Sequence, residues 1–311
     1  MIHYSVVIPL KDEAMSIPTL HNELTQVFNR LKEPFELIFV DDGSTDKSFE
    51  TLIDLQKKDN NIKIIKFRTN FGKSAALSSG FKKAQGEIVV MLDADLQDDP
   101  HEIPKMVKKI DEGYDLVTGW RHKREDSVVK IISSFLFNTG TSLLTGVKLH
   151  DLNCGLKVMR KSVADELYIH GELHRFIPIL AAKRKFKVTE IKVNHRSRQF
   201  GTSKYGKLGL GRSWRGIIDL ITTVFVTDFS TKPAHFFGSI GLISFLIGFV
   251  MDAYVSYIRI TVGNTQGRIP LLLAGILLMI IGIQLISTGL IAEMIAHFLG
   301  QKKDREQFIG K

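Results

Sequence analysis

Short apolar runs alternate with polar stretches of helical spacing through the first 120 residues, and two long apolar runs close the chain. "YSVVIPL" predicts a strand ending at Pro9 and Leu10, followed by a helix over residues 16–32. "FELIFVDDGS" predicts a second strand, stopped by Asp-Gly-Ser turn chemistry. "TDKSFETLIDLQKKD" has helical spacing, with Thr45 or Asp46 as a candidate N-cap, and "IKIIKF" is a third strand. "KSAALSSGFKKAQ" reads as a helix ended by Gly86, "EIVVMLDADL" as a fourth strand and "DLVTGW" as a fifth. This alternation predicts an α/β domain with a mostly parallel sheet covered by helices on both faces. Such sheets bind ligands at the carboxyl ends of their strands. Acids fall at two of those ends: Asp41 and Asp42 after the second strand, Asp93 and Asp95 after the fourth.

The pattern changes near Lys232. Phe236–Ile258 carries one charge, Asp252, and Leu271–Ala292 carries none. About 20 mainly apolar residues suffice to cross a bilayer, so both stretches are predicted membrane helices rather than a buried hairpin of a soluble core. Lys204, Lys207, Arg212, Arg215 and Lys232 precede the first stretch; Lys302, Lys303 and Arg305 follow the second. Arg259 and Arg268 lie in or beside the short connection. That bias predicts both termini in the cytosol. Residues 207–229 are basic at their start, contain Trp214 and continue apolar, which suits an amphipathic helix at the membrane interface or an ordinary surface helix. The expected organisation is a cytosolic catalytic domain over 1–206, a juxtamembrane region over 207–232, a two-helix hairpin over 233–300 and a cytosolic tail over 301–311.

Composition narrows the partners. The net charge of +9 favours acidic ones: nucleotides, an anionic membrane surface or nucleic acid. One cysteine, Cys154, excludes an internal disulfide and a Cys-based metal site. The N-terminus has no basic region or cleavage site of a secretory signal. "NFGKSAAL" is not a phosphate-binding P-loop, because Phe67 stands where that loop needs glycine. "HRSRQFGTSKYG" is basic with aromatics, but no RNA-binding module accompanies it, and nucleic acid is not an expected partner.

"MLDADLQDDP" then holds four aspartates and a glutamine in an otherwise basic chain. Carboxylates in a D-x-D pair can share a hard divalent cation that keeps positions for water and substrate phosphate. Such a cation neutralises a diphosphate leaving group. The plainer reading of D-x-D alone is a solvated acidic turn before Pro100.

Eight segments together decide between these readings: "VVIPLKDE" (6–13), "VDDGSTD" (40–46), "NFGKSAAL" (70–77), "DADLQDDP" (93–100), "GWR" (119–121), "DLNCGLK" (151–157), "GELHRFIP" (171–178) and "HRSRQFGTSKYG" (195–206). In this order, with the apolar tail, they resemble the polyprenyl-phosphate glycosyltransferases, inverting enzymes of the GT-A fold in the second glycosyltransferase family. The resemblance implies that Pro9, Leu10, Glu13 and Asp42 hold the nucleoside, that Asp41 supports the turn, and that Gly72 and Lys73 lie beside base and ribose. It implies Asp93, Ala94, Asp95 and Gln97 around the donor diphosphate, with Asp93, Asp95 and Gln97 on Mg²⁺ or Mn²⁺. Arg121 would face the lipid phosphate with Arg124, Lys130 and Arg196, and Asp151 would lie near the acceptor. Arg198, Ser203 and Lys204 would close over the donor diphosphate. For any single basic residue the plainer reading is a solvated charge.

The implied reaction moves one sugar from a nucleotide sugar to a polyprenyl phosphate at the cytosolic membrane face, with inversion. UDP is placed ahead of GDP and glucose first among sugars, with mannose, N-acetylglucosamine and aminoarabinose derivatives open. The resemblance is also compatible with a homo-oligomer such as a tetramer. A processive polysaccharide synthase would carry Q-x-x-R-W and more spans, and neither is present. A non-catalytic nucleotide-binding membrane scaffold is the rival from another class.

Overall fold

The structure, a computed structural model, describes residues 2–122, 146–167, 169–197, 232–265 and 267–309, with side chains to residue 297. The chain divides into two compact units, Met1–Leu220 and Ile221–Lys311.

The first unit is built on seven strands: β1 (Tyr4–Leu10), β2 (Phe35–Asp41), β3 (Ile62–Lys66), β4 (Ile88–Met91), β5 (Leu116–Arg121), β6 (Lys157–Arg160) and β7 (Val188–Val193), in the order β3-β2-β1-β4-β6-β5-β7. β1 and β2 are buried along their whole lengths, as expected of central parallel strands covered on both faces. β1 pairs in parallel with β2 and β4, β2 with β3, and β5 with β7. β6 runs antiparallel to both β4 and β5. Six strands therefore end on one edge of the sheet, and the reversed β6 begins there. Lys157 at the start of β6 lies opposite both Met91 and Thr118. The segment before β6, residues 151–156, is thereby brought to the edge where β1, β2 and β4 deliver their acids.

Helices α1 (Ile17–Leu31), α2 (Ser48–Gln56), α3 (Lys73–Lys83), α4 (Ile103–Asp111), α5 (Lys161–Glu166) and α6 (Ile177–Lys183), with short 3-10 turns at Pro100–Glu102 and Leu173–Phe176, complete the described part of this unit. α1 buries Ile17, Leu20, Leu24, Val27 and Phe28, the i, i+3, i+4 spacing of one helical face. Phe28 stacks on Phe35 at 5.2 Å between ring centres, which ties α1 to β2.

The second unit contains α7 (Pro233–Val262) and α8 (Ile269–Ile309). Each holds a stretch long and apolar enough to cross a membrane, Pro233–Val262 and Ile269–His297. Their seam is lined with glycine. A Cβ on Gly241 would lie 2.6 Å from the Gly282 carbonyl oxygen, and one on Gly282 equally close to the Gly241 oxygen. Small residues of this kind let two apolar helices approach backbone to backbone. The expected juxtamembrane region, 207–232, lies outside the described residues except for its last one.

Candidate active site

The loops after β1 and β2 are welded together by side-chain-to-backbone hydrogen bonds. Asp12, at φ 51°, donates its N–H to Ser44 Oγ (2.9 Å) and accepts the Thr45 N–H (2.7 Å). Glu13 donates its N–H to Ser48 Oγ (2.8 Å), and its carboxylate accepts the Ser16 hydroxyl (3.2 Å). Asp41 is fully buried and accepts the Ser44 N–H at 2.8 Å. Gly43 has φ +70°, and a Cβ there would lie 2.6 Å from the Thr69 carbonyl carbon, so only glycine lets this turn meet the loop after β3. Asp42 accepts N–H groups from Phe71 (2.7 Å) and Gly72 (3.0 Å), which fixes the approach to α3. Pro9 and Leu10 are buried at the end of β1.

Lys73 opens α3 and extends over the D-x-D segment. Its Nζ lies 2.5 Å from Asp93 Oδ1 and 2.7 Å from Oδ2. Burial opposes charge on both groups, but the ion pair prevails: the ammonium is raised and the carboxyl lowered from their ordinary values. Asp98 and Asp95 act on the same ammonium. A Cβ on Gly155 would fall 2.4 Å from Asp98 Oδ2 and 2.7 Å from Asp93 Oδ2, so glycine leaves the hollow into which both carboxylates reach. Asp95 accepts the Gln97 N–H at 3.2 Å, and Ala94 is buried beneath the turn. Clustered hard carboxylate oxygens suit a hard divalent cation with oxygen ligands, and the residues present fit Mg²⁺ or Mn²⁺.

Arg121 ends β5 and binds Asp151 bidentately, Nε to Oδ2 at 2.7 Å and Nη2 to Oδ1 at 3.0 Å. Both are largely buried. Burial would lower the guanidinium, but the Asp151 pair more than offsets it and raises it. Trp120 beside it stacks on His150 at 4.1 Å.

A second acidic group lies one residue further on. Arg196 donates Nη1 to both oxygens of Glu23 (2.9 Å each) and Nη2 to Asp99 (2.6 Å). Its own N–H donates to the Gln97 carbonyl at 2.8 Å, and Asp98 and His195 form an antiparallel bridge. The chain leaving β7 is thus sewn to the acidic loop through residues 195 and 196. Glu23, Asp99 and His101 each offer a ligand atom within 4.8 Å of the others, as a metal site could. The Arg196 guanidinium already spans two of these three groups, so this cluster is an ion-pair latch. Arg124, Lys130, Arg198, Ser203 and Lys204 lie outside the described residues.

Three residues that sequence reasoning gave no role complete the site. Lys157 is buried to 1% exposure, and its ammonium donates to the Cys154 carbonyl. Burial lowers it, and burial likewise raises the Cys154 thiol. His174 hydrogen-bonds Ser74 Oγ through Nδ1 at 3.0 Å and pins the first turn of α3 beside Lys73. Gly155 is the third. All three stand in the quoted segments "DLNCGLK" and "GELHRFIP"; a lysine opening an apolar strand was the available signal for Lys157.

Residues 5–168 match the family described as Glycosyl transferase family 2. The dodecaprenyl-phosphate galacturonate synthase of Rhizobium johnstonii is 35% identical over 304 residues, 95% of this chain and 88% of that protein. The undecaprenyl-phosphate 4-deoxy-4-formamido-L-arabinose transferase of Salmonella choleraesuis is 33% identical over 306 residues, 98% of this chain and 91% of that protein. Among solved structures, glucosyl-3-phosphoglycerate synthase from Mycobacterium tuberculosis, in complex with Mn²⁺, UDP-glucose and phosphoglyceric acid, superposes with a TM-score of 0.55. That match has 18% identity over 74% of this chain and 82% of the other, and it establishes a shared fold.

Proposed function

Because the chain belongs to glycosyl transferase family 2, we propose that it transfers a sugar from a UDP-sugar to a polyprenyl phosphate at the cytosolic face of a membrane, with inversion. The observation that carries this reading is the meeting of opposite charges on one sheet edge. Carboxylates surround Lys73 at the end of β4, and Arg121 is held bidentately by Asp151 at the end of β5. The likeness to polyprenyl-phosphate sugar transferases extends through the hairpin, which supports a lipid acceptor. Their names put galacturonate and 4-deoxy-4-formamido-L-arabinose donors ahead of glucose.

Asp93, Asp95 and Gln97 would hold Mg²⁺ or Mn²⁺, which supplies positive charge to the departing diphosphate. The rest of the chemistry falls to this chain's side chains. Asp42 fixes the Phe71–Gly72 backbone beside the nucleoside, so the donor meets a preformed wall. A phosphate monoester has its second pKa near 6, so the lipid phosphate is mostly dianionic at neutral pH. It needs orientation more than deprotonation. Asp151 supplies orientation by locking the Arg121 fork, whose guanidinium has five N–H donors and can hold Asp151 and a phosphate oxygen together. Arg124, Lys130 and Arg196 are proposed to support the acceptor, and Arg198, Ser203 and Lys204 to cover the diphosphate. The organisation proposed is the catalytic domain over 1–206, an interfacial region over 207–232, the hairpin over 233–300 and a tail over 301–311, both termini cytosolic.

The test is a screen of UDP-galacturonate, UDP-4-deoxy-4-formamido-L-arabinose and UDP-glucose against undecaprenyl phosphate in detergent, read by mass spectrometry of the lipid. One of them is expected to yield the glycosyl-phosphate lipid. Nucleotide binding with no lipid product from any donor would favour the scaffold reading.

A further inference from the structure

We propose that Lys73 is an exchangeable counter-ion: its ammonium competes with the divalent cation for Asp93 and passes to the donor diphosphate when that cation binds. The inference rests on the reading above, in which the D-x-D segment holds a metal.

The geometry points there in three steps. First, the ammonium lies between both Asp93 oxygens, at 2.5 and 2.7 Å. A divalent cation coordinated by Asp93 needs one of the same oxygens at about 2.1 Å. A cation on either oxygen repels the ammonium, so Lys73 must give up at least that oxygen. Second, the backbone carrying Lys73 cannot withdraw. Asp42 holds the N–H groups of Phe71 and Gly72 just before it, and Ser74 just after it is tied to His174 Nδ1 and to the His174 N–H at 3.3 Å. Only the side chain can move. Lysine suits this, because its ammonium is a point charge on a flexible stem with no fixed pairing geometry. Third, the ammonium has somewhere to go. Lys73 is 30% and Asp93 31% exposed, so the pair faces the open side of the edge where a diphosphate must lie to reach a cation held by the D-x-D carboxylates.

The consequence is thermodynamic. A cation that binds without nucleotide must displace Lys73 into water. A cation that binds with nucleotide displaces it onto phosphate oxygens. Each ligand therefore lowers the cost of the other, and the coupling is reciprocal. An enzyme built this way holds metal and donor together and each alone weakly.

The experiment is Mn²⁺ titration of the full chain in detergent, followed by electron paramagnetic resonance, with and without UDP, for the wild type, Lys73→Met and Asp95→Asn. In the wild type, UDP should tighten Mn²⁺ on the order of tenfold or more. In Lys73→Met, Mn²⁺ alone should bind several-fold tighter than in the wild type, and the tightening by UDP should shrink by a similar factor. A residue that merely supports the fold would not raise metal affinity when removed. Should Lys73→Met not fold, as judged by its unfolding midpoint, Lys73→Gln carries the same expectation. Mn²⁺ affinity equal to or below that of the wild type in the folded variant overturns the proposal while leaving the metal reading intact. Absence of Mn²⁺ binding to the wild type with UDP, or undiminished binding in Asp95→Asn, overturns both.

Discussion

Two acidic clusters draw on the seven residues from Asp93 to Asp99, and they use their cations differently. At Asp99 and Glu23, one guanidinium donates to three carboxylate oxygens and its backbone N–H binds the same loop. At Asp93, Asp95 and Asp98, the flexible Lys73 ammonium pairs with Asp93 and feels the other two carboxylates, while Asp93 and Asp98 pack closely on Gly155. Both clusters leave negative charge over: one guanidinium meets two carboxylates in the first, and in the second the Lys73 ammonium meets Asp93 with Asp95 and Asp98 acting on it. Arginine's fork gives rigidity there; lysine's point charge imposes no fixed pairing geometry here. Acid density alone does not distinguish a metal site from a latch. We propose that the geometry of the cation already present does.

The largest effect expected from this contrast is on turnover. Asp95→Asn should lower it on the order of a hundredfold or more, since charge on the departing diphosphate goes uncompensated. Glu23→Gln, in the latch, should stay within about threefold of the wild type and keep the same Mg²⁺ dependence, because its effect passes only through Arg196. Radiolabelled transfer to undecaprenyl phosphate measures both. The reverse ranking would exchange the roles of the two clusters.

The next effect is on stability. Arg196→Ala leaves Glu23 and Asp99 facing each other, both less than a quarter exposed. Removing one partner of such a network should cost about 3 kcal/mol, read by denaturant unfolding of the detergent-solubilised protein. Arg196→Lys should recover part of it, since lysine supplies the charge without the fork. If Arg196→Ala unfolds like the wild type and loses only lipid use, Arg196 serves the acceptor alone and the latch does not exist.

Gly155→Ala sharpens the comparison from the other side. Its Cβ would enter the hollow between Asp93 and Asp98. The strain should cost about 1–3 kcal/mol, and Mn²⁺ affinity should fall more than that of Asp99→Asn. Equal Mn²⁺ affinity in the two variants would show that the hollow is not where the cation sits.

Much of this was legible in the sequence because period and punctuation carry it. Helix α1 spans 17–31 where 16–32 was expected, and α3 starts at Lys73 as expected. Both long apolar stretches are helices. β6 and β7 were not foreseen. β6 has four residues and opens with a lysine that is buried only because β6 reverses between β4 and β5, and no local pattern encodes a reversal. The site was legible as residue types at strand ends, but not as pairings. Arg196 lies 173 positions from Glu23 and His174 lies 100 from Ser74. A basic residue in a motif looks the same whether it waits for a phosphate or is already held by two carboxylates.

The smallest expected effect belongs to His174, and it tests whether the wall behind Lys73 takes part in proton chemistry. His174 is 8% exposed, and burial, then Lys73 and Arg175, push its imidazolium down to about 3, against about 6.5 in an unfolded chain. Between those values the unfolded chain binds a proton that the folded protein refuses. Stability from this group is therefore complete above about pH 6.5 and is lost as pH falls toward 3, by up to about 1.4 kcal/mol per unit. His174→Gln should remove that slope: the stability lost between pH 6.5 and 5.5 should shrink by roughly 1 kcal/mol relative to the wild type, whatever the absolute cost of the substitution. An unchanged slope would mean that the imidazole is not held neutral. The pH dependence of transfer should respond differently. An acid limb near pH 6 is expected from the second ionisation of the lipid phosphate, and it should persist in His174→Gln because that limb belongs to the substrate. Loss of the limb with the imidazole would make His174 a proton carrier and Lys73's neighbour in the reaction rather than in the wall.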